Sequence, residues 1–395
     1  MPAPTVTRVV YILDHALNAR DYARFGIAMM QGHHFEVEVW DLSPLLRRPD
    51  TEWKTIPSSL RLCCFESRES LVNAVSTLTA STFVICVADY APQTLFLYRE
   101  LSKAPSRFTV VANLAIPVVE RADIKGMRYL WSKLKALNPR RLVAWSCSRL
   151  PPRLLGVRCA DAALASAANI SGHPLLGPGT CLVQVHSFDY DNYLRAFDAG
   201  AIEDPSMVVF LDQFMPYHDD WVDHEDGPLI DAAEYYATLR RFFDRVEREL
   251  NIRITIAAHP RSDYDRRPDC FGSRQVFRDR TAELVGRARF VITEMSQSVG
   301  FAVLFRKPVL IITNDIYESG TSGVAVELRR QVGLIARHLG TTPVNVDRRA
   351  PIDWDRILTV DADAYTRFQD RYIKAPGSPR DYYWNIVAGY LRSIS

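Results

Sequence analysis

Residues 6–42 read VTRVVYILDHALNARDYARFGIAMMQGHHFEVEVWDL. The opening VTRVVYIL (6–13) is a β-branched run of the length of a buried strand. DYARFGIAMMQG (21–32) then spaces its apolar residues as a helix does and ends on Gly32, a helix-stop residue. FEVEVWDL (35–42) returns to strand character, so the segment reads as a βαβ unit. The rhythm continues through LRLCCF (60–65), a helix near 68–79, TFVICVAD (82–89), a helix near 92–103 and RFTVVAN (107–113). Strands alternating with helices predict a mostly parallel sheet covered on both faces. No GxGxxG follows the first strand, which weighs against a dinucleotide-binding first domain.

Residues 140–200 carry a weaker pattern, rich in Pro, Gly and Ser, and include SGHPLLGPGT (171–180). LVQVHSFDYDNY (182–193) reads as a strand breaking into a polar, aromatic loop. A second α/β series starts at MVVFLDQF (207–214). Its helix over 229–250 places Leu229, Ala233, Tyr236, Leu239, Phe243, Val246 and Leu250 on one face, the spacing of a core-facing helix. IRITIAA (252–258), FVITEM (290–295), a helix at 297–306, PVLIITN (308–314) and a helix near 322–338 follow. The tail (361–374, then 381–394) reads as two helices. The expected organisation is α/β: two Rossmann-like doubly wound domains, 1–204 and 205–379, facing across a cleft, with the helix 380–395 packing back on the first.

Composition is that of an ordinary globular chain: 395 residues, 48% hydrophobic, 24% charged. A net charge of +2 gives no overall field for nucleic acid. The seven cysteines are scattered without zinc spacing, which fits reduced thiols in a cytoplasm. The N-terminus has no secretory leader pattern, and no apolar run is long enough to span a bilayer. The expected location is the cytoplasm, with the inner face of the membrane as an extension. Arg140, Arg141, Arg149 and Arg153 cluster with Trp and Leu at 139–153. That segment reads either as a peripheral membrane contact or as a connector with exposed arginines.

Ligands of doubly wound sheets sit outside the carboxyl ends of the strands. Four second-domain loops follow such ends: FMPYHDDWVDHEDG, HPRSDYD, SQSVGFA and DIYESGTSG. His259 donates to a phosphate oxygen or satisfies a nearby carbonyl; Pro260 restricts its backbone to extended geometry, and Arg261 adds a fork for a phosphate. Ser296, Gln297 and Ser298, with Gly300 behind them, serve a phosphate or merely cap a helix. Thr321 and Ser322 supply a third turn facing phosphate or ribose, or only reverse the chain. Asp212 and Gln213 end a strand and either face the cleft or satisfy backbone there. Glu294 stands beside the serines.

The ordered pair HPR (259–261) and EMSQSVGFAVLFRKPVL (294–310) resembles the nucleotide-binding half of GT-B glycosyltransferases. It is most similar to bacterial sialyltransferases and Kdo transferases, which use CMP-activated nonulosonic or ulosonic acids. The resemblance covers about residues 207–315. It implies a nucleotide-sugar donor, most simply CMP-linked, held by His259, Pro260, Ser296 and Ser298. It also implies a glycan or lipid-linked glycan acceptor, inverting chemistry, and no metal or other cofactor. The sialyltransferase serines are adjacent, whereas here they are split as S-Q-S.

An inverting transferase needs a base for the acceptor hydroxyl. The pool is Asp14 with His15 after the first strand, Asp189 and Asp191 in HSFDYD, and Asp226. The last lies in Glu225-Asp226-Gly227, which resembles the sialyltransferase acidic triplet. Each has a plain alternative: Asp14 as a helix cap, Asp189 and Asp191 as turn formers, Asp226 within a solvated acidic loop. Two rivals remain. One is a UDP- or GDP-sugar transferase or epimerase, with Glu318 on the ribose. The other is a non-catalytic nucleotide- or glycan-binding subunit of a capsule assembly complex.

Overall fold

The computed structural model describes residues 5–48, 57, 59–112, 150–166, 173–218 and 230–394. Thirteen strands among them form two sheets, one of seven and one of six, and these strands pair in parallel. The first sheet comprises β1 Arg8–Leu13, β2 Glu36–Asp41, β3 Arg61–Cys64, β4 Thr82–Cys86, β5 Arg107–Ala112, β6 Ala162–Ala165 and β7 Cys181–Gln184. Their spatial order is β3-β2-β1-β4-β5-β6-β7. The second comprises β8 Asp204–Leu211, β9 Arg253–Ala257, β10 Val276–Phe277, β11 Ala288–Thr293, β12 Val309–Thr313 and β13 Val344–Asn345, in the order β10-β9-β8-β11-β12-β13. Both sheets therefore run outward in two directions from their first strand, which is Rossmann-like winding. Each has its switch point beside that strand: β1/β4 in the first, β8/β11 in the second.

The alternation of β1 shows why its sequence folds this way. Val9, Tyr11 and Leu13 join one buried cluster, with Val37, Val39, Phe83 and Ile85. Val10 and Ile12 join another on the opposite face, with Val84, Cys86, Leu97 and Leu101. A strand buried on both faces has no polar side to alternate with, hence its continuous apolar run.

The described residues divide into two compact units: those up to 188, together with 375–394, form one, and those of 189–374 the other. The sequence predicts the boundary at 204/205; the structure divides at 188/189. The reason is local. HSFDYDNY does not break into a loop: a helix runs Phe188–Asp198, Phe188 sits in the first unit's core, and Tyr193 packs on Phe305 at 4.8 Å in the second. The final helix, Tyr383–Ser393, contributes Tyr383, Trp384, Val387, Ala388 and Leu391 to the first unit's core. In the second unit the long helix spans Ala232–Leu250, starting from Asp231, which caps Glu234 N–H. Its buried face is broader than predicted. Tyr235 and Phe242 are buried, while Ala233 is exposed.

Candidate functional site

The second sheet's switch point is built around one buried side chain. Asp212 follows β8 and is 3% exposed. Its Oδ1 accepts from Phe214 N–H at 3.0 Å; its Oδ2 accepts from His259 N–H at 3.2 Å and from the Tyr264 hydroxyl at 2.9 Å. One carboxyl thus holds the loops after β8 and β9 together. Burial pushes it up to about 6, against these hydrogen bonds, which favour the ionised form. The next residue, Gln213, offers Oε1 to Met295 N–H at 2.9 Å and so ties β8 to the loop after β11.

Glu294 directly follows β11, is 2% exposed, and accepts from the Tyr235 hydroxyl at 2.9 Å. Burial pushes it up to about 7; the Tyr235 hydrogen bond acts against that shift, and the Asp212 charge adds to it. The Tyr317 hydroxyl is buried beside it but lies outside hydrogen-bond geometry. Tyr236 and Tyr264 share a hydrogen bond of 3.0 Å behind Asp212. Sequence patterning singles out none of these tyrosines: Tyr235 and Tyr236 lie on a helix whose spacing reads as plain core, and Tyr264 and Tyr317 in short turns after strands.

His259 is half-buried, and Pro260 and Arg261 are exposed. The Arg261 N–H donates to His259 Nδ1 at 3.2 Å. With Nδ1 accepting, the proton of a neutral ring resides on Nε2, which makes Nε2 a donor. Arg261 lines a cavity of about 580 Å³ with Phe214, Pro216, Tyr217, Asp231 and Arg267. That volume lies within the range of small-molecule sites.

The SQSVGF turn differs from a row of open amides. Ser296 is 9% exposed, and its Oγ accepts from Ser298 N–H at 3.3 Å. The N–H groups of Val299, Gly300 and Phe301 reach back to the carbonyls of Ser296, Gln297 and Ser298. Gly300 is buried within the short helix Val299–Leu304. The groups this turn presents outward are therefore the side chains of Gln297, which is exposed, and Ser298, which is half-buried.

After β12, Asn314 caps the turn Asp315–Ser319, and Ser322 caps the helix Gly323–His338 through Ala325 N–H at 3.1 Å. Thr321 and Ser322 are exposed. Glu318 is engaged by Arg348 at 2.5 Å. A Cβ on Gly320 would stand 2.4 Å from the Ile316 carbonyl oxygen, so this reversal requires glycine.

In the first unit, Asp14 and His15 follow β1 at its switch point. His15 lies between two carboxylates: Nδ1 is 3.1 Å from Asp14 and Nε2 is 3.2 Å from Asp21. Asp14, then Asp21, push the imidazole up to about 9. The hydrogen bond from His15 in turn holds Asp14 below the usual carboxylate range, with Arg48 adding to it from 3.6 Å. Asp14 does not cap the following helix; Asn18 does, through Asp21 N–H. Asp189 and Asp191 sit in the first turn of the helix Phe188–Asp198, where negative charge meets the positive end of the helix dipole. Asp226 lies outside the described residues, as do Glu225, most of the acidic loop, and Arg140, Arg141 and Arg149.

Among the described residues no three His, Cys, Asp or Glu side chains converge as metal ligands. No helix among them is long and apolar enough to cross a membrane.

No protein-family model matches the chain, and no curated protein matches it. Solved structures similar to it include the wall teichoic acid polymerase TagF, at 10% identity over 98% of this chain and 89% of that one, with a TM-score of 0.46. A UDP-N-acetylglucosamine 2-epimerase is similar at 12% identity over 98% of this chain and 96% of that one, TM-score 0.49. Phytolacca americana UGT2, complexed with UDP-2fluoro-glucose and pterostilbene, is similar at 10% identity over 99% and 94%, TM-score 0.43. These likenesses are remote; the two parallel sheets themselves define the fold.

Proposed function

We propose that the chain is a glycosyltransferase of the GT-B kind, with its nucleotide-sugar donor at the carboxyl edge of the second sheet. The observation that carries this reading is the stitching at that edge. Asp212 and Gln213, consecutive at the β8 end, bind the backbone of the β9 and β11 loops at the switch point. That arrangement brings His259, Gln297 and Ser298 to one sheet edge, with Arg261 beside them and Thr321 and Ser322 at the next strand end. Donors gathered at a fixed edge stabilise charge on a leaving phosphate without rearranging as the reaction proceeds. The donor is a CMP-linked ulosonic or nonulosonic acid, as the HPR and SQS motifs suggest, and the acceptor a bacterial surface glycan.

The first unit supplies the acceptor side and the base. Of the described candidates, Asp14 is the oriented carboxylate: His15, pushed up to about 9 between Asp14 and Asp21, is protonated at neutral pH and fixes the carboxylate's direction while keeping it ionised. Asp191 is buried to 6% exposure in a helix turn, which suits a structural carboxylate. The UDP- or GDP-sugar reading asks Glu318 to meet a ribose, but Arg348 already engages that carboxylate. Calorimetric titration with CMP, UDP and GDP tests the reading. CMP is expected to release heat; heat from UDP or GDP alone overturns the donor assignment, and none from any of the three overturns the transferase.

A further inference from the structure

We infer that His218 is a second phosphate contact, paired with His259 across the loops that follow β8 and β9. Nothing in the HPR motif (259–261) points to it; the pairing exists only in three dimensions. The two imidazole rings stand edge to face, 5.0 Å between centroids at 67°. They follow the adjacent strands β8 and β9 at the same edge of the sheet, and each loop is anchored by the same carboxyl. Asp212 Oδ1 holds Phe214 N–H, which leads into the turn Met215–Tyr217 and then His218; Asp212 Oδ2 holds His259 N–H.

The approach to His218 is made through an uncommon backbone. Phe214 has φ +56 and ψ +34, a left-handed conformation that a bulky L-residue adopts only when its surroundings impose it. The Asp212 hydrogen bond and edge packing of Phe214 on Tyr264 at 5.4 Å supply that imposition. A plain strand-to-helix connection needs neither. The strain re-aims the chain so that His218 meets His259.

Two arginines belong to the same pair of loops. The Arg267 guanidinium lies 4.1 Å over the Tyr217 ring, one residue from His218, and Arg261 follows His259 by two. Asp263 engages Arg267. Two imidazoles at this separation are suited to two oxygens of one phosphate or of adjacent phosphates, and each such bond is charge-assisted. Asp212 is a positioning residue here, since it acts through the backbone of both loops and never on the ligand.

This inference rests on the donor reading, and the test separates the two. The full chain is labelled with ¹³C at histidine Cε1, and the His218 and His259 signals are assigned with His218→Asn and His259→Asn. Inorganic pyrophosphate is then titrated, followed by CMP. Both signals are expected to shift along one binding curve, and His218→Asn to weaken pyrophosphate by about tenfold, the scale of one hydrogen bond to a charged group. His218→Gln, whose amide N–H reaches the place of Nε2, is expected to recover part of that loss, whereas His218→Asn, whose shorter amide does not reach it, and His218→Phe, which has no donor, do not. If CMP and pyrophosphate move His259 and leave His218 still, the pairing is wrong and the donor reading stands. If pyrophosphate moves both while CMP, UDP and GDP bind nowhere, the pairing stands and the donor reading falls. If neither ring responds, both fall.

Discussion

Glu294 shows what a single residue contributes to this edge. It is a carboxyl almost fully removed from water, satisfied by one tyrosine hydroxyl, and pushed from an ordinary 4.5 up to about 7. Because the folded chain holds this proton more tightly than the unfolded chain, the associated stabilisation is full below pH 4.5 and lost as pH rises through 7. Glu294→Gln keeps the acceptor for Tyr235 and removes the charge. At about 1.4 kcal/mol per pKa unit, the variant is expected to be more stable than the parent at about pH 8 by up to a few kcal/mol. Its stability should also be flatter across that window. Thermal melts at about pH 5 and about pH 8 check this; an equal loss of stability at both values would instead mean disrupted packing. A group that destabilises the fold at neutral pH points to a role outside the core, which fits its place beside the serine turn. Asp212, Gln213 and Glu294 were legible in the sequence because each ends a strand run. Tyr235 and Tyr236 were not, since nothing in a helical spacing separates a packed ring from one whose hydroxyl supports a carboxylate; Tyr264 was not, since a loop position gives no sign that its hydroxyl turns back to Asp212. His218 was hidden for a related reason: its meaning depends on a ring from another loop.

At the scale of elements, the well-patterned strands were readable and the weakly patterned ones were not. β1, β2, β4, β5, β8, β9, β11 and β12 have apolar or β-branched runs. β6 is Ala-Ala-Leu-Ala, fully buried yet built from residues that favour helices, so its strand state comes from its neighbours β5 and β7. β10 and β13 have two residues each and carry no period. The last helix was legible, and its seat explains an otherwise unremarkable glycine. Gly26 adopts φ +53, and a Cβ there would stand 2.2 Å from Trp384 Cδ1. Trp384 is 1% exposed, and its Nε1 donates to the Arg24 carbonyl at 2.8 Å. Gly26→Ala therefore meets both a strained backbone and a ring that has no room to retreat. It is expected to lower stability by more than about 1 kcal/mol, and Trp384→Ala by about 3–5 kcal/mol. Denaturant unfolding of the full chain measures both. A Gly26→Ala variant as stable as the parent would show that this contact tolerates a methyl group and that the helix is not seated as described.

At the scale of the molecule, the chain crosses between its two units at 188/189 and again at 374/375, so the second unit is nearly an insertion within the first. The sequence predicts two sheets of this kind but places the crossing in AGAIEDPS, where Gly, Pro and acids resemble a linker. The actual crossing lies inside a helix, and helices do not advertise a boundary in their composition. Each unit has its own parallel sheet, and the first has its own apolar clusters on both faces of that sheet. This predicts two separable events on heating. If the donor site lies wholly at the β8–β12 edge, a nucleotide stabilises the second unit and leaves the first nearly unchanged. At a hundredfold excess over its dissociation constant the gain is about 2.7 kcal/mol. Differential scanning calorimetry of the full chain with and without CMP is expected to move one transition upward and hold the other. The transition that moves is identified by Trp384→Ala, which lowers only the first unit's. A single transition that rises as a whole would mean the two units unfold as one body. A rise confined to the transition that Trp384→Ala lowers would place the nucleotide at the β1 edge, beside Asp14 and His15.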